Sequence, residues 1–116
     1  PYDDLSMDYV LVWNVIYHGN LSIVHRTLSE ILRVLRPGGL FQGTMLSKRN
    51  STIPISTEIS KNTYINEKVS DKAHPHFYCS AAELLSLFDG FEIWWLKDKE
   101  HQKEGSYHWH FLAEKL

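Results

Sequence analysis

The sequence is poor in cysteine and in long apolar runs, and both shortages narrow the class of protein. Cys79 is the only cysteine, so no disulfide can form within the chain. This is typical of a reducing compartment and predicts a cytoplasmic protein. The longest apolar run extends from Tyr9 to Trp13 and resumes from Val15 to Tyr17. Because a membrane-spanning helix needs ~20 apolar residues, the sequence predicts no membrane span.

Basic side chains are neither abundant nor clustered. The chain has 12 lysines and arginines against 14 aspartates and glutamates, which gives a formal net charge of -2. No segment gathers the basic residues into the stripe that a phosphate backbone requires, so we expect no nucleic acid and no membrane among its partners. The first residues are acidic, unlike those of a signal peptide. Because the sequence starts at Pro1 rather than at Met, we expect it to be part of a longer protein.

The first part of the chain has the strand, helix, strand pattern of a parallel sheet. Residues Met7 to Ile16 are dense in Val, Leu, Tyr and Trp without regular polar alternation, which predicts a strand buried on both faces. Apolar residues then recur at three and four positions from Leu21 to Leu35, and Asn20 is placed to cap this helix. We expect Pro37 to Gly39 to end the helix, before a second strand over Leu40 to Leu46.

The second part predicts a long connection, a short helix and a hairpin. Residues 48–79 are mostly polar and exceed the ~12 to 15 residues usual for a structureless loop, so we expect a long loop or lid. Ser80 to Glu83 matches a capping box, and Leu84 to Phe88 would supply the buried face of the helix. Two aromatic-rich segments, Phe91 to Lys97 and Ser106 to Glu114, predict an antiparallel hairpin.

Two segments of this order carry a resemblance to a known family. From Asp8 to His18, an acidic residue precedes an apolar strand that ends in Asn14 and an aromatic–histidine pair. From Ile31 to Phe41, a helix leads through a Leu-Arg-Pro-Gly-Gly turn. At this spacing they resemble the fourth strand, and the next helix and fifth strand, of class I S-adenosylmethionine-dependent methyltransferases. The closing hairpin is similar to the family's sixth and seventh strands, and details resemble small-molecule, tellurite-resistance-type members.

The resemblance covers nearly the whole chain and implies an α/β fold. It makes residues 1–116 the C-terminal part of one three-layer, Rossmann-like methyltransferase domain. The family's first three strands are not among these residues, and the six glycines form no Gly-x-Gly-x-Gly run after a strand. The implied function is S-adenosylmethionine-dependent methyl transfer to a small-molecule acceptor by the intact protein, with this chain inactive alone.

The end of the first predicted strand holds the site residues that the resemblance implies. Trp13 and Asn14 correspond by position to contacts with the methionine end of the cofactor, and Val15 lines the site beyond them. Tyr17 and His18 follow as the candidate catalytic residues. His18 is the candidate base that an O–H or N–H nucleophile needs, and Tyr17 would form part of the substrate wall. Ligands of open α/β sheets bind outside the carboxyl ends of the strands, where His18 is expected to lie.

Other residues have weaker assignments. Arg49, His76 and Phe77, in the polar segment, are candidates to bind an anionic or aromatic acceptor. Asp8, the acidic residue that opens the first motif, is expected to have a structural rather than a catalytic role.

Two alternatives to an enzyme remain open. Residues 10–16 would form an open strand edge, which predicts a binding or assembly module and a homo-oligomer joined along this strand. Alternatively, His74 with His76, and His108 with His110, each place two imidazoles on one side of an extended segment, as zinc ligands require. No Cys-x-x-Cys or His-Glu-x-x-His pattern accompanies them, so we assign no metal ligand.

Overall fold

Strands and helices alternate along the chain in a computed structural model that describes residues 1–68 and 73–116. In the described ranges the elements are β1 (Met7–Val12), α1 (Leu21–Val34), β2 (Leu35–Ser47), a 3-10 helix (Ile53–Ile55), β3 (Thr57–Ser60), β4 (Thr63–Ile65), β5 (His76–Cys79), α2 (Ala81–Leu87), β6 (Phe91–Glu100) and β7 (Tyr107–Lys115).

The long strand β2 organises the sheet. It pairs in parallel with β1, to which α1 connects it, and in antiparallel fashion with β7, which in turn pairs with β6. Near its carboxyl end β2 also pairs in parallel with β5, and β4 and β3 continue the sheet beyond β5. The parallel first pair and the antiparallel hairpin confirm the predicted α/β fold.

Helix α1 forms where the apolar spacing predicts it. The side chain of Asn20 accepts a hydrogen bond from the backbone N–H of Ile23 at 3.0 Å, as a helix cap does. The predicted end of the helix is wrong, because α1 stops at Val34 and the chain enters β2 before the Pro-Gly-Gly turn. Pro37 disfavours helical backbone at the residue before it, so the helix cannot continue to the proline. In addition, the Lys115 ammonium donates hydrogen bonds to carbonyl oxygens at the end of α1.

Strand β1 is shorter and more exposed than the sequence predicts. It ends at Val12 instead of Ile16, because Asn14 adopts a left-handed conformation with φ of 58° and turns the chain. The expected burial of both faces is wrong for this chain. Tyr9 and Leu11 are exposed, whereas Val10 packs against the core.

The polar segment 48–79 contains a 3-10 helix and three short strands in its described residues. These strands extend the sheet, so the segment is more regular than a loop. Residues 69–72 lie outside the described ranges, and the role of the segment as a lid stays a prediction.

The capping box predicted before α2 is confirmed and connects α2 to the polar segment. The Ser80 hydroxyl accepts from the backbone N–H of Glu83, and the Glu83 carboxylate accepts from the backbone N–H of Ser80. The same carboxylate accepts from Asn62 and pairs with Lys48, each at 2.8 Å. The predicted buried face is only partly correct, because Leu85 is exposed.

One apolar core lies under β2 and the hairpin. Phe41 of β2 packs against Phe88, Phe91 and Phe111, with ring centroids 4.9 to 5.5 Å apart. Helix α1 contributes buried apolar side chains to the same core. No helix in the described part of the chain combines the length and apolar character that crossing a membrane would demand.

Candidate functional site

A cleft of about 370 Å³ opens where the parallel strands end. Its walls come from the turn after β1, from the segment after β2, from β5 and from the connection between β6 and β7. This is the edge of an open α/β sheet at which ligands bind. The residues that line the cleft are Asn14, Tyr17, His18, Asn50, Ser51, Thr52, His76, His101, Gln102, Lys103, Glu104, Ser106 and His108.

Asn14 is held at the mouth of β1 by contacts with β2. Its backbone N–H donates to the hydroxyl of Thr44 at 2.9 Å, and its side-chain oxygen accepts from that hydroxyl at 3.3 Å. The hydroxyl of Tyr17 lies 3.1 Å from the same oxygen. Asparagine tolerates a left-handed backbone better than most residues. The sequence therefore suits the turn that ends β1.

Tyr17 and His18 both line the cleft but differ in solvent exposure. Tyr17 is 4% exposed, and its hydroxyl lies 3.4 Å from Nε2 of His108 on β7. His18 is exposed, and its ring centroid lies 4.6 Å from that of His76. The structure thus brings both candidate catalytic residues into one cleft.

Backbone bonding joins the turn after β1 to the start of β5. Phe77 donates its N–H to the carbonyl oxygen of Tyr17 at 2.8 Å, and Gly19 donates to the carbonyl oxygen of Pro75 at 2.9 Å. His76, which is 3% exposed, donates from Nδ1 to the carbonyl oxygen of His74 at 2.7 Å. The structure therefore places His76, one of the predicted acceptor-binding residues, beside the candidate catalytic residues.

A cluster of histidines lies beside Tyr17. The rings of His101 and His108 stack with centroids 3.8 Å apart, and His101 contacts His110 edge to face. Burial, followed by the charge of Lys99, lowers the pKa of His101. Burial also lowers the pKa of His110, and the nearby His101 adds to this effect. Both rings therefore favour their neutral form.

The three residues predicted to contact the cofactor lie at the open end of β1. Trp13 is 47% exposed and Val15 is 61% exposed, and Asn14 lines the cleft between them. The centroid of the Trp13 ring lies 4.9 Å from that of the His110 ring. Of these three residues, only Asn14 is among those that line the cleft.

The remaining substrate candidates lie away from the cleft lining. Arg49 is exposed, with its guanidinium 4.2 Å above the ring of Tyr107 and 3.6 Å from Asp98. Phe77 is 1% exposed and belongs to the apolar core. Asp8 pairs with Arg36 of the Leu-Arg-Pro-Gly-Gly turn, in accordance with a structural role.

The zinc hypothesis finds no support in the described residues, which contain no group of three or more His, Cys, Asp or Glu side chains arranged for a metal. His76 is buried and His74 exposed, so they do not face a common ligand position. Burial raises the pKa of the Cys79 thiol to about 12, which disfavours the thiolate that zinc requires.

Sequence analysis missed two walls of the cleft, residues 50–52 and residues 101–106. They contact each other directly, since Ser51 donates its N–H to the carbonyl oxygen of Gly105 at 2.9 Å. Gly105 has φ of 82°, and a Cβ atom there would stand 2.3 Å from the Ser51 hydroxyl oxygen. The glycine inside a charged stretch was the available signal for this close approach.

Comparison with known proteins identifies the fold. No protein-family model matches the sequence, and no curated protein matches it significantly. Among solved structures, an S-adenosylmethionine-dependent methyltransferase from Methanosarcina mazei has a TM-score of 0.74 at 18% identity, over 99% of this chain and 62% of that chain.

Two further structures agree. The 1,6-didemethyltoxoflavin-N1-methyltransferase of Burkholderia thailandensis, solved with S-adenosylhomocysteine, has a TM-score of 0.72 at 19% identity, over 97% of this chain and 45% of that chain. An S-adenosylmethionine-dependent methyltransferase from Thermotoga maritima has a TM-score of 0.67 at 22% identity, over 100% of this chain and 59% of that chain.

The chain therefore has a class I S-adenosylmethionine-dependent methyltransferase-like fold, as the resemblance in its sequence implies. It spans less than two thirds of the length of each of these methyltransferases, so it forms part of that Rossmann-like fold. The tellurite-resistance subtype stays a prediction.

Proposed function

We propose that this chain supplies the acceptor side of the active site, and one side of the cofactor site, in an S-adenosylmethionine-dependent methyltransferase that acts on a small molecule. The observation that carries the proposal is the cleft at the carboxyl ends of β1 and β2, which combines Asn14, Tyr17 and His18. Fold alone does not define an activity, so the argument depends on this site.

The open end of β1 suits one side of the cofactor. The exposed indole of Trp13 and side chain of Val15 provide apolar surface, and Asn14 adds a fixed polar group between them. The sequence contains neither the glycine-rich turn that follows the first strand of the family nor the acidic residue that binds the ribose after the second strand. We therefore expect these residues to bind the cofactor only together with the rest of the intact protein. When bound, S-adenosylmethionine supplies the methyl group as an electrophile.

The residues of the cleft align the acceptor and exclude water. An in-line displacement depends mainly on holding the nucleophile at the correct distance and angle. Buried Tyr17 and His76 form rigid walls, while exposed His18 is a candidate base for an acceptor that loses a proton. Arg49 lies outside the lining of the cleft, so we assign it only contacts with the acceptor at the rim. Phe77 supports Tyr17 through a backbone hydrogen bond.

Calorimetry with S-adenosylhomocysteine tests this proposal. The protein extended by its upstream sequence is expected to bind, and residues 1–116 alone to bind feebly or not at all. In the extended protein, Trp13→Ala is expected to weaken affinity about ten-fold, because it removes apolar contact area. Trp94→Ala is the matched control, since Trp94 is an exposed indole on β6. Absence of binding by the extended protein would refute the proposal.

A further inference from the structure

Tyr17 and His108 form a buried hydroxyl–imidazole pair in the wall of the cleft. The Tyr17 hydroxyl lies 3.4 Å from Nε2 of His108 and 3.1 Å from Oδ1 of Asn14. Tyr17 is 4% exposed and His108 is 6% exposed, yet both line the cleft. The pair thus borders the ligand space while the protein shields it from bulk water.

The backbone favours one tautomer of neutral His108, the one with its proton on Nδ1. Nδ1 of His108 lies 3.3 Å from the carbonyl oxygen of Ser106, and a carbonyl oxygen can only accept a hydrogen bond. A hydrogen bond between these two atoms requires the proton on Nδ1, which places the lone pair of the neutral ring on Nε2. That nitrogen faces the Tyr17 hydroxyl, which places a basic atom next to a group that can pass on a proton.

Other groups that line the cleft can also take up a proton, namely the imidazoles of His18 and His76. His18, the candidate base named above, is exposed, whereas Tyr17 and His108 are buried. Among the described residues that line the cleft, Glu104 is the only carboxylate, and it is exposed on the connection between β6 and β7. His101 stacks on His108, and Lys99 occupies the paired position on β6. Because burial lowers the pKa of His101, that ring adds little positive charge beside His108 near neutral pH.

We propose that Tyr17 and His108 together accept the proton of a methyl acceptor whose reacting atom is an O–H or N–H group. This proposal rests on the proposed function and names the acceptor class for the same site. Tyr17 would touch the acceptor and is the catalytic residue of the pair. His108 acts through Tyr17 and is a positioning residue that stores the proton.

The proton and electron pairs balance in this step. The acceptor O–H or N–H donates to the Tyr17 oxygen, and the Tyr17 proton turns from Asn14 to Nε2 of His108 and is transferred there. The electron pair left on the acceptor atom forms its bond to the methyl carbon. The methyl–sulfur bond breaks and its electron pair stays on sulfur, so the positive charge of the sulfonium is replaced by that of the His108 imidazolium.

The charge of the cleft limits the acceptor further. The charged side chains that line it beside the histidines are Lys103 and Glu104, which are exposed and of opposite sign. Neutral hydroxyl and amide groups of Asn50, Ser51 and Thr52 form the facing wall. The lining therefore fits an uncharged alcohol, phenol or N–H heterocycle better than a carboxylate or an ammonium compound.

Nitrogen-15 NMR of the histidine rings, in the protein extended by its upstream sequence, tests the pair with phenol and anisole as probes. Neutral His108 is expected to carry its proton on Nδ1. Phenol, which has the O–H, is expected to shift the His108 signals and to bind about five-fold more tightly than its methyl ether anisole, the effect of one hydrogen bond. Tyr17→Phe should remove that preference and the His108 shift.

Several results would overturn the inference: a neutral His108 protonated on Nε2, no binding of phenol, equal affinities for phenol and anisole, or an unchanged preference in Tyr17→Phe. His108→Gln is a second variant that should also lose the preference, and His25→Gln on α1 should retain it. Calorimetry with S-adenosylhomocysteine on the same samples separates the two proposals. Retained cofactor-product binding with no phenol preference counts against this inference alone, whereas absent binding by the unsubstituted protein counts against the proposed function.

Discussion

Gly43 of β2 lies so close to Val12 of β1 that a Cβ atom on residue 43 would stand 2.2 Å from the Val12 carbonyl oxygen. The contact occurs at the paired position where β1 ends and the cleft begins. It fixes the separation of the two parallel strands directly below Asn14. Glycine is required here by the close approach of two backbones.

We expect Gly43→Ala to displace the end of β1 and to lower the free energy of unfolding by roughly 2 kcal/mol, the range of overpacked sites. Urea unfolding followed by circular dichroism measures the change. Gly38→Ala is the control, because φ there is 83° while the nearest atom to an added Cβ is 4.0 Å away. It should cost only the backbone strain of about 1 kcal/mol. Equal losses in both variants would show that the contact with Val12 is not tight.

Glu83 makes the stability of the chain vary with pH in the acidic range. Burial raises the pKa of Glu83, but hydrogen bonds from Lys48, Asn62 and Ser80 outweigh this effect and lower the pKa to about 2. An unfolded glutamate titrates at about 4.3. Its stabilising contribution is therefore complete above about pH 4.3 and is lost as the pH falls towards about 2.

Glu83→Gln should retain the capping geometry but lose the charge, so it should reduce the free energy of unfolding at neutral pH by roughly 1 kcal/mol. Denaturant unfolding between about pH 2 and pH 7 is the measurement. The difference between the variant and the unsubstituted chain should vanish at the acidic end of this range. Glu67→Gln, at an exposed position, should have little effect, and a difference that stays constant with pH would contradict the assignment.

The exposed strand β1 predicts self-association of residues 1–116. In the described residues β1 pairs only with β2, and Leu11 is 55% exposed. An unpaired apolar strand edge favours pairing with another chain. Small-angle scattering or light scattering should detect a homo-oligomer whose mass falls to that of a monomer in Leu11→Lys.

Leu85→Lys on α2 provides the control, because Leu85 is exposed to a similar extent at 52% but lies on a helix. It should leave the oligomer intact. A monodisperse monomer of the unsubstituted chain would remove this prediction, and equal dissociation by both lysine variants would show that association does not depend on β1.

The elements with a strong local pattern could be predicted from the sequence. Helix α1 follows from its apolar spacing and from the Asn20 cap, and α2 follows from the capping box at Ser80. The hairpin follows from two aromatic-rich segments. These signals act between residues that are close in sequence, so they do not require knowledge of the tertiary fold.

The parts that depend on distant contacts could not be predicted. Strands β3, β4 and β5 are only three or four residues long, and they are stabilised by pairing with one another and with β2. His101 lies in a charged stretch and reaches the cleft because the hairpin register pairs Lys99 with His108. The end of β1 depends on the bond between Asn14 and Thr44, 30 residues apart.

The central claim is that the open end of β1 binds the methyltransferase cofactor, and the indole signals of the protein test it most directly. In the extended protein, nitrogen-15 NMR of the tryptophan side chains should show that S-adenosylhomocysteine shifts the Nε1 signal of Trp13. The signals of Trp94, exposed on β6, and of Trp109, which donates to the carbonyl oxygen of Cys79, should not move. A titration that leaves Trp13 unchanged, or that shifts only Trp94, would contradict the claim.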